Sequence, residues 1–429
     1  MLRASSGAVL LVALSVANVH AQTQTPQWSV ALDDVQGSPP YVIGTGAGND
    51  GIVVNLLRSG ISLAPSGLRR WRFTAAEVCT DGASNAHLDA VKLLPNGETW
   101  GLRSCYGADG PPQQHELVRL AADGTPIATT DLGARPAQWG RTRLLPLPDG
   151  VVALVPGAGG LHWLHIGLDG QILDDTFTGL VGPPNASIQI LTAKLWPNGS
   201  ASVGTRQFVS CNINPPTSCP RPAATLLRLS ADGTERWRVE AGAINAFFGF
   251  DDDGSSLIAH STFDEPLILR QVSASGVPGE PFAAAGGEPM SLTGAAGPVH
   301  GRYLAYSQTE QLLIDRDGTV HARRPHAGSA GGEAYAHGTL GFITGAWYRD
   351  GALVSAEDLS VLALFDVDGI DNTDWPIPAN VFWSLLDDGT VYTSSPRLGD
   401  SAPPRRARVS RFAVPGSPAA DPIFIDHLE

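Results

Sequence analysis

Lysine is almost absent from this chain. Of its 28 basic residues only Lys92 and Lys194 are lysines, and arginine carries the rest. This reads as the coding bias of a GC-rich bacterium. Charged residues are few, at 16%, and the formal net charge is −14. General nucleic-acid binding is excluded on that balance, because it needs a basic surface. The negative charge favours solubility. Cysteine is scarce, with four residues. None stand as Cys-x-x-C, so neither a zinc knuckle nor a thioredoxin-like redox motif is supported. The chain also lacks a Gly-x-Ser-x-Gly elbow, a His-Glu-x-x-His helix and a glycine-rich phosphate loop. No catalytic residue is assigned. Beyond the N-terminus no apolar run approaches the roughly 20 residues that a membrane span requires.

The N-terminus reads as an export signal. Arg3 is the only early charge, Ala8 to Ala17 is a short apolar run, and Val19-His20-Ala21 is a small-x-small cleavage site. Residues 1–21 are expected to be removed near Ala21, leaving a periplasmic or secreted protein with no transmembrane segment. No cysteine stands at the cleavage point, so a lipid anchor is not expected. In an exported chain an even cysteine count favours disulfides.

What is abundant is glycine, with 49 residues, and proline, with 33. Asp-Gly and Asn-Gly turns punctuate the sequence between apolar words. One series runs through Gly51, Gly97, Gly150, Gly199, Gly254, Gly301, Gly351 and Gly389. A second runs through Gly67, Gly124, Gly170, Gly233, Gly276, Gly318, Gly369 and Gly416. The two alternate, as in "VKLLPNGETWGL" followed by "LVRLAADGTPIATTDL". Such dipeptides favour two-residue hairpins. The result is a series of two-hairpin units at a spacing of about 40 to 60 residues, the range of propeller blades. A four-stranded unit cannot bury its own faces. Radial packing buries both, which suits words such as "LLRL" and "VVAL" that are apolar almost throughout.

The expected fold is therefore all-β, a single β-propeller of eight four-stranded blades, with seven the alternative. The repeats fall at 41–74, 88–132, 142–178, 188–240, 244–282, 290–324, 338–377 and 380–425. Residues 22–40 form an N-terminal segment. Its "QWSVAL" matches the fourth-strand words "RWRF" and "RWRV", so it is a candidate ring-closing strand. The C-terminal "DPIFID" competes for that place.

"LDGQILDDTF" and the pairing of "VKLLPNGETWGL" with "ELVRLAADG" resemble the delta-60 type of bacterial propeller repeat. "ADGTERW" and "PSGLRRW" resemble the tryptophan-ended repeats of pyrroloquinoline-quinone-like (PQQ-like) propellers. The resemblance implies the fold. Function does not follow from it, because propellers host unrelated activities. PQQ dehydrogenases hold a vicinal Cys-Cys over the cofactor, and this chain has none, so PQQ is not expected.

Both hairpin turns of a propeller blade lie on one face, and the longer connections lie on the other. The long segments here include 74–87, 103–115, 206–224, 324–338 and 394–408. Long loops on a rigid scaffold are where binding resides. Candidate binding residues on that face are Tyr106, His115, Trp139, Arg405 and Arg406. The cysteines are expected to pair as Cys79–Cys105 and Cys211–Cys219, stiffening loops that lack a core, and the other pairings stay open. Asp366, Asp368, Asp371 and Asp374 are weak calcium candidates, since short-spaced oxygen ligands suit that ion. However, Asp368-Gly369 also reads as the regular turn of its blade. No cofactor is expected. His326, Glu333 and His337 share a loop but fit no metal motif. Trp71, Trp237 and Trp375 are expected to pack between blades.

The functional expectation is a monomeric binding or scaffold protein that engages a protein, peptide or glycan through its long-loop face. The alternative is an extracytoplasmic propeller enzyme, a hydrolase or lyase, with an axial site.

Overall fold

A computed structural model describes residues 22–33, 44–48, 50–56, 59–74, 85–94, 96–106, 112–133, 142–157, 160–181, 186–209, 223–243, 246–261, 265–284, 290, 292, 294–307, 309–325, 334–337, 341–345, 351–365, 382–386, 388–396 and 406–420. They form eight antiparallel blades. Seven are consecutive in sequence, at 44–74, 85–133, 143–177, 186–240, 247–283, 294–325 and 334–365. The eighth takes three strands from 382–413 and its outer strand from Trp28–Asp33. That strand pairs Trp28 with Arg411 and Asp33 with Arg406, so one blade is built from both ends of the propeller chain and the ring is closed by a ladder. The rival segment "DPIFID" lies outside the described residues. An unexpected strand, Gln22–Gln24, adds in parallel to the outer edge of blade 7 and makes that sheet five-stranded.

The core lies between the blades. Trp100, Leu102 and Leu117 of blade 2 pack with Val151, Ala153 and Leu164 of blade 3. Leu154 and Trp163 on the far side of blade 3 pack with Ile190 and Val203 of blade 4. Strands sandwiched in this way need apolar residues at successive positions, which explains the continuous words in the sequence.

The turns differ from expectation. In most of them only the glycine has positive φ, and the two-residue type with two left-handed positions is not formed. Instead Gly97 N–H donates to the Leu94 carbonyl at 3.0 Å while Leu94 N–H donates to the Glu98 carbonyl at 2.8 Å. This is a three-residue loop, a type I turn followed by a left-handed glycine. The same pair of bonds recurs at Gly67, Gly124, Gly170, Gly199, Gly233, Gly254, Gly276, Gly318 and Gly389. The side chain before the glycine completes it. Asn96, Asp123, Asp169, Asn198, Asp232, Asp253, Asp317 and Asp388 each accept the N–H two residues on. A two-residue hairpin with both residues left-handed occurs at His300 (φ 51°) and Gly301 (φ 75°).

Blade 7 also departs from the expected register. Gly351 opens its third strand, Gly351–Val354. Its second hairpin turns at Ser355–Ser360, where Leu359 takes the left-handed position (φ 60°) and Asp358 accepts the Ser360 N–H at 2.9 Å. Gly369 lies beyond the last strand of that blade, outside the described residues, so it is not the hairpin turn of blade 7.

Turn glycines also join neighbouring blades. Trp28, Trp71 and Trp237 stand on outer strands and press against Gly67, Gly124 and Gly276 of the following blade. The Trp28 indole N–H donates to the Pro65 carbonyl at 2.7 Å, and that of Trp237 to Ala274 at 3.2 Å. A Cβ on Gly124 would come within 2.5 Å of the Trp71 ring. Trp375 lies outside the described residues.

Candidate functional site

Two ends of each blade must be distinguished. At the tight-turn end, charged side chains stitch blade to blade. Lys194 of blade 4 reaches Asp252 of blade 5 at 2.8 Å and the Phe250 carbonyl at 3.2 Å. Arg316 of blade 6 reaches Asp253 of blade 5 at 3.2 Å. Arg302 of blade 6 donates to the Ala356 carbonyl of blade 7 at 2.9 Å. Arg119 is held by Glu98 at 2.7 Å and also bonds the Leu168 carbonyl of blade 3. Tyr303 is buried there. Burial first, and the neighbouring Asp251 second, push its hydroxyl far above the ordinary tyrosine range.

The opposite end of blade 2 holds a group of buried polar side chains. Its first three strands are Asn85–Leu93, Thr99–Tyr106 and Pro112–Leu120. The register places His87, Ser104 and His115 in one row across them. Directly opposed residues share a face of the sheet. This row shares its face with Leu102 and Leu117, which pack against blade 3. The adjacent row of Leu88, Arg103 and Glu116 lies on the other face. That face meets blade 1, where Val118 and Leu120 join Val53, Trp71 and Phe73.

Ser104 Oγ and His115 Nδ1 are 2.8 Å apart, with Ser104 0% and His115 1% exposed. Arg103 and Glu116 form an ion pair, with the guanidinium fully buried and the carboxylate nearly so. Burial pushes the Arg103 guanidinium down to about 10, which leaves it charged at neutral pH. Blade 1 joins the cluster through Asn55, whose Nδ2 donates to the Leu88 carbonyl at 2.7 Å. Two rows thus brace the strand ends from which the connections 75–84 and 107–111 leave. Ser104 and His115 are both enclosed, and the arrangement fixes the position of the strand ends.

The sequence-derived candidates fare unevenly. His115 lies at the centre of the brace, in the third strand. Tyr106 is the last residue of the second strand, paired with Pro112. Cys105 stands beside Ser104, paired with Gln114 and buried. Arg406 opens the third strand of blade 8 instead of lying in the preceding loop, because the ladder with Trp28–Asp33 extends to it. Trp139, Arg405, Asp366, Asp368, Asp371, Asp374, Cys79, Cys211, Cys219, His326 and Glu333 lie outside the described residues. His337 ends the inner strand of blade 7. Among the described residues no group of three or more His, Cys, Asp or Glu side chains is arranged to hold a metal ion. Sequence reasoning missed Ser104, Arg103 and Glu116. Their only signal is the interruption of apolar words by "RS" and "HE" at matching distances from the turn.

No established family profile and no curated protein sequence matches this chain. Solved structures do match, in fold alone. The C-terminal WD40 domain of Sif2 aligns over 92% of this chain and 100% of its own, at TM-score 0.57 and 9% identity. BamB from Moraxella catarrhalis aligns over 90% and 100%, at 0.53 and 10%. Quinohemoprotein alcohol dehydrogenase from Comamonas testosteroni aligns over 91% of this chain and 76% of its own, at 0.53 and 10%. These neighbours share the propeller, and the repeat family is not fixed by them.

Proposed function

We propose that this protein is an exported binding or scaffold propeller that engages a protein, peptide or glycan through its long-connection face. The observation that carries this reading is the unequal use of the two blade ends. One is occupied by short, self-bonded turns and inter-blade ion pairs. The other receives the long connections and is braced from below by the rows around Ser104 and Arg103. A rigid rim carrying long loops is the arrangement in which binding is placed by a scaffold. The WD40 and BamB likenesses are compatible with a scaffold role. Export rests on the leader-like residues 1–21. Cys105 is disulfide-bonded, which is compatible with the pairing Cys79–Cys105.

The test is site-directed photo-crosslinking in the native cell. Probes replace Tyr106 and Trp139, and a control probe replaces Asn198 in a tight turn. A discrete adduct from the first two alone is expected. Adducts from Asn198 alone, or from no position, would overturn the reading.

A further inference from the structure

Most of the described arginines are bonded. Arg119, Arg238 and Arg302 meet carboxylates, and Arg206, Arg228 and Arg270 meet a polar side chain or a carbonyl. Arg69 and Arg70 differ. They open the outer strand of blade 1, Arg69–Thr74, and both are exposed. Among the described residues no hydrogen bond or ion pair reaches either of them. Arg70 is the extra residue of a bulge, since Leu63 pairs with Arg69 and Ser62 with Trp71. Such a bulge re-aims its side chain. Leu68, just before the two arginines, is 72% exposed, the highest value of any large apolar side chain among the described residues. Two unpaired cations beside a bare leucine suit a segment that is both anionic and apolar.

The site lies at the seam where the ring closes. The Trp28 indole of blade 8 bonds the Pro65 carbonyl of blade 1 at 2.7 Å. A Cβ on Gly67, the residue before Leu68, would come within 2.9 Å of the Trp28 ring. Across the seam, burial pushes the Tyr392 hydroxyl up, and the charges of Arg411 and Arg70 oppose that rise. Carboxylates of the flanking turns are engaged by their own backbone. Asp388 accepts the Thr390 N–H at 2.8 Å and Asp123 accepts the Thr125 N–H at 2.9 Å.

The chain itself brings an occupant to this place. The Gln27 side chain, next to Trp28, donates to the Ala419 carbonyl at 3.2 Å, and Ala419 N–H donates to the Asp388 carbonyl at 3.1 Å. Residues 421–429, "DPIFIDHLE", lie outside the described residues and follow directly from this anchored point. They carry Asp421, Asp426 and Glu429 around Ile423, Phe424 and Ile425. In the sequence this segment rivals "QWSVAL" for the ring-closing place, and Trp28–Asp33 fills that place. Nine extended residues reach about 30 Å. A short tether sets an effective concentration of about millimolar, so exposed charge pairs that are weak one by one suffice. That tether favours the segment over a separate partner or a second copy.

We propose that residues 421–429 dock on Leu68, Arg69 and Arg70 of blade 1, with their carboxylates on the arginines and their apolar run on the leucine. The docked segment takes the chain from blade 8 across the seam, at the tight-turn end. It is separate from the long-connection face and does not depend on the binding role of that face.

The test places a benzophenone probe at Leu68 in the full chain and reads the crosslinked peptides by mass spectrometry after trypsin. Cleavage after Arg411 releases residues 412–429 as one peptide, and fragmentation locates the link. A link within 421–429 is expected, formed inside one copy. The double variant Arg69→Glu, Arg70→Glu should cut its yield at least about fivefold, because exposed attractions become repulsions. Adding Asp421→Lys, Asp426→Lys and Glu429→Lys to that variant should restore the yield. Should the arginine variant fail to fold, the three lysine substitutions alone should cut the yield as far. No link within 421–429, or a yield indifferent to charge reversal, would overturn the proposal. So would a link formed only between two copies or to another protein, which would assign the arginines to that partner.

Discussion

The two ends of the blades solve the same problem by different means. At the tight-turn end the chain reverses within three residues. A left-handed glycine and an aspartate or asparagine satisfy the backbone locally, and arginine or lysine reaches across to the next blade. At the other end of blade 2 nothing local suffices. Two rows of buried polar side chains, drawn from three strands and joined by Asn55 of blade 1, fix the strand ends. The comparison teaches that charged side chains tie blade to blade at one end, while the other is anchored and left to carry the long connections.

The largest expected effect breaks the brace. Glu116→Leu leaves the Arg103 charge buried without its partner, and such losses cost about 3 to 5 kcal/mol. Urea unfolding should show this. Adding Arg103→Met should recover most of it, because a buried pair replaced by apolar residues is close to neutral. Recovery below half would mean that the pair stabilises by more than mutual compensation.

Next comes the tight-turn end. A Cβ on Gly233 would sit 2.4 Å from the Trp163 ring, at φ +80°. Left-handed strain of about 1 to 2 kcal/mol and overpacking of about 1 to 3 kcal/mol both apply to Gly233→Ala. At Gly416, φ +76°, nothing lies within 4 Å, so Gly416→Ala should cost the strain alone. Thermal unfolding of the two variants separates inter-blade packing from backbone strain. Equal losses would remove the packing role assigned to turn glycines.

A smaller effect concerns acid. Five turn aspartates are held below the ordinary carboxylate range. Thr125 and Thr319 N–H groups do this first for Asp123 and Asp317. The hydroxyls of Ser255, Ser360 and Ser230 do so first for Asp253, Asp358 and Asp232. Depressed folded values mean a contribution present above the unfolded value of about 3.9 and lost as pH falls through the lower folded values. Asparagine keeps the accepting oxygen, as Asn96 and Asn198 show. Replacing all five by asparagine should therefore flatten the stability curve below about pH 4 while leaving circular dichroism at pH 7 unchanged.

Much of this fold was legible in the sequence because strands covered on both faces are written as unbroken apolar words. The fourth strands of blades 1 and 4 carry a tryptophan, and "QWSVAL" matches them, in keeping with the ladder from Trp28 to Arg411. The second hairpin of blade 7 was not legible. Leu359 occupies the left-handed position, so no glycine marks it. The turn class was hidden for a different reason, since Asp-Gly suits both two- and three-residue loops. The brace was half visible. His115 was legible as a candidate binding residue of a long segment, but its contact with Ser104 depends on register, which no local word encodes.

The claim that inter-blade ties and long connections occupy opposite ends is tested most directly by excising a long connection. Residues 210–222 join the second and third strands of blade 4, Ala201–Val209 and Thr225–Leu229. They can be replaced by a short Asp-Gly turn, which also removes Cys211 and Cys219 together. The account predicts a folded ring with a thermal midpoint within about 2 to 4 °C of the parent, the shift that about 1 kcal/mol produces in a large domain. A variant that fails to fold, or melts as early as Gly233→Ala, would contradict it.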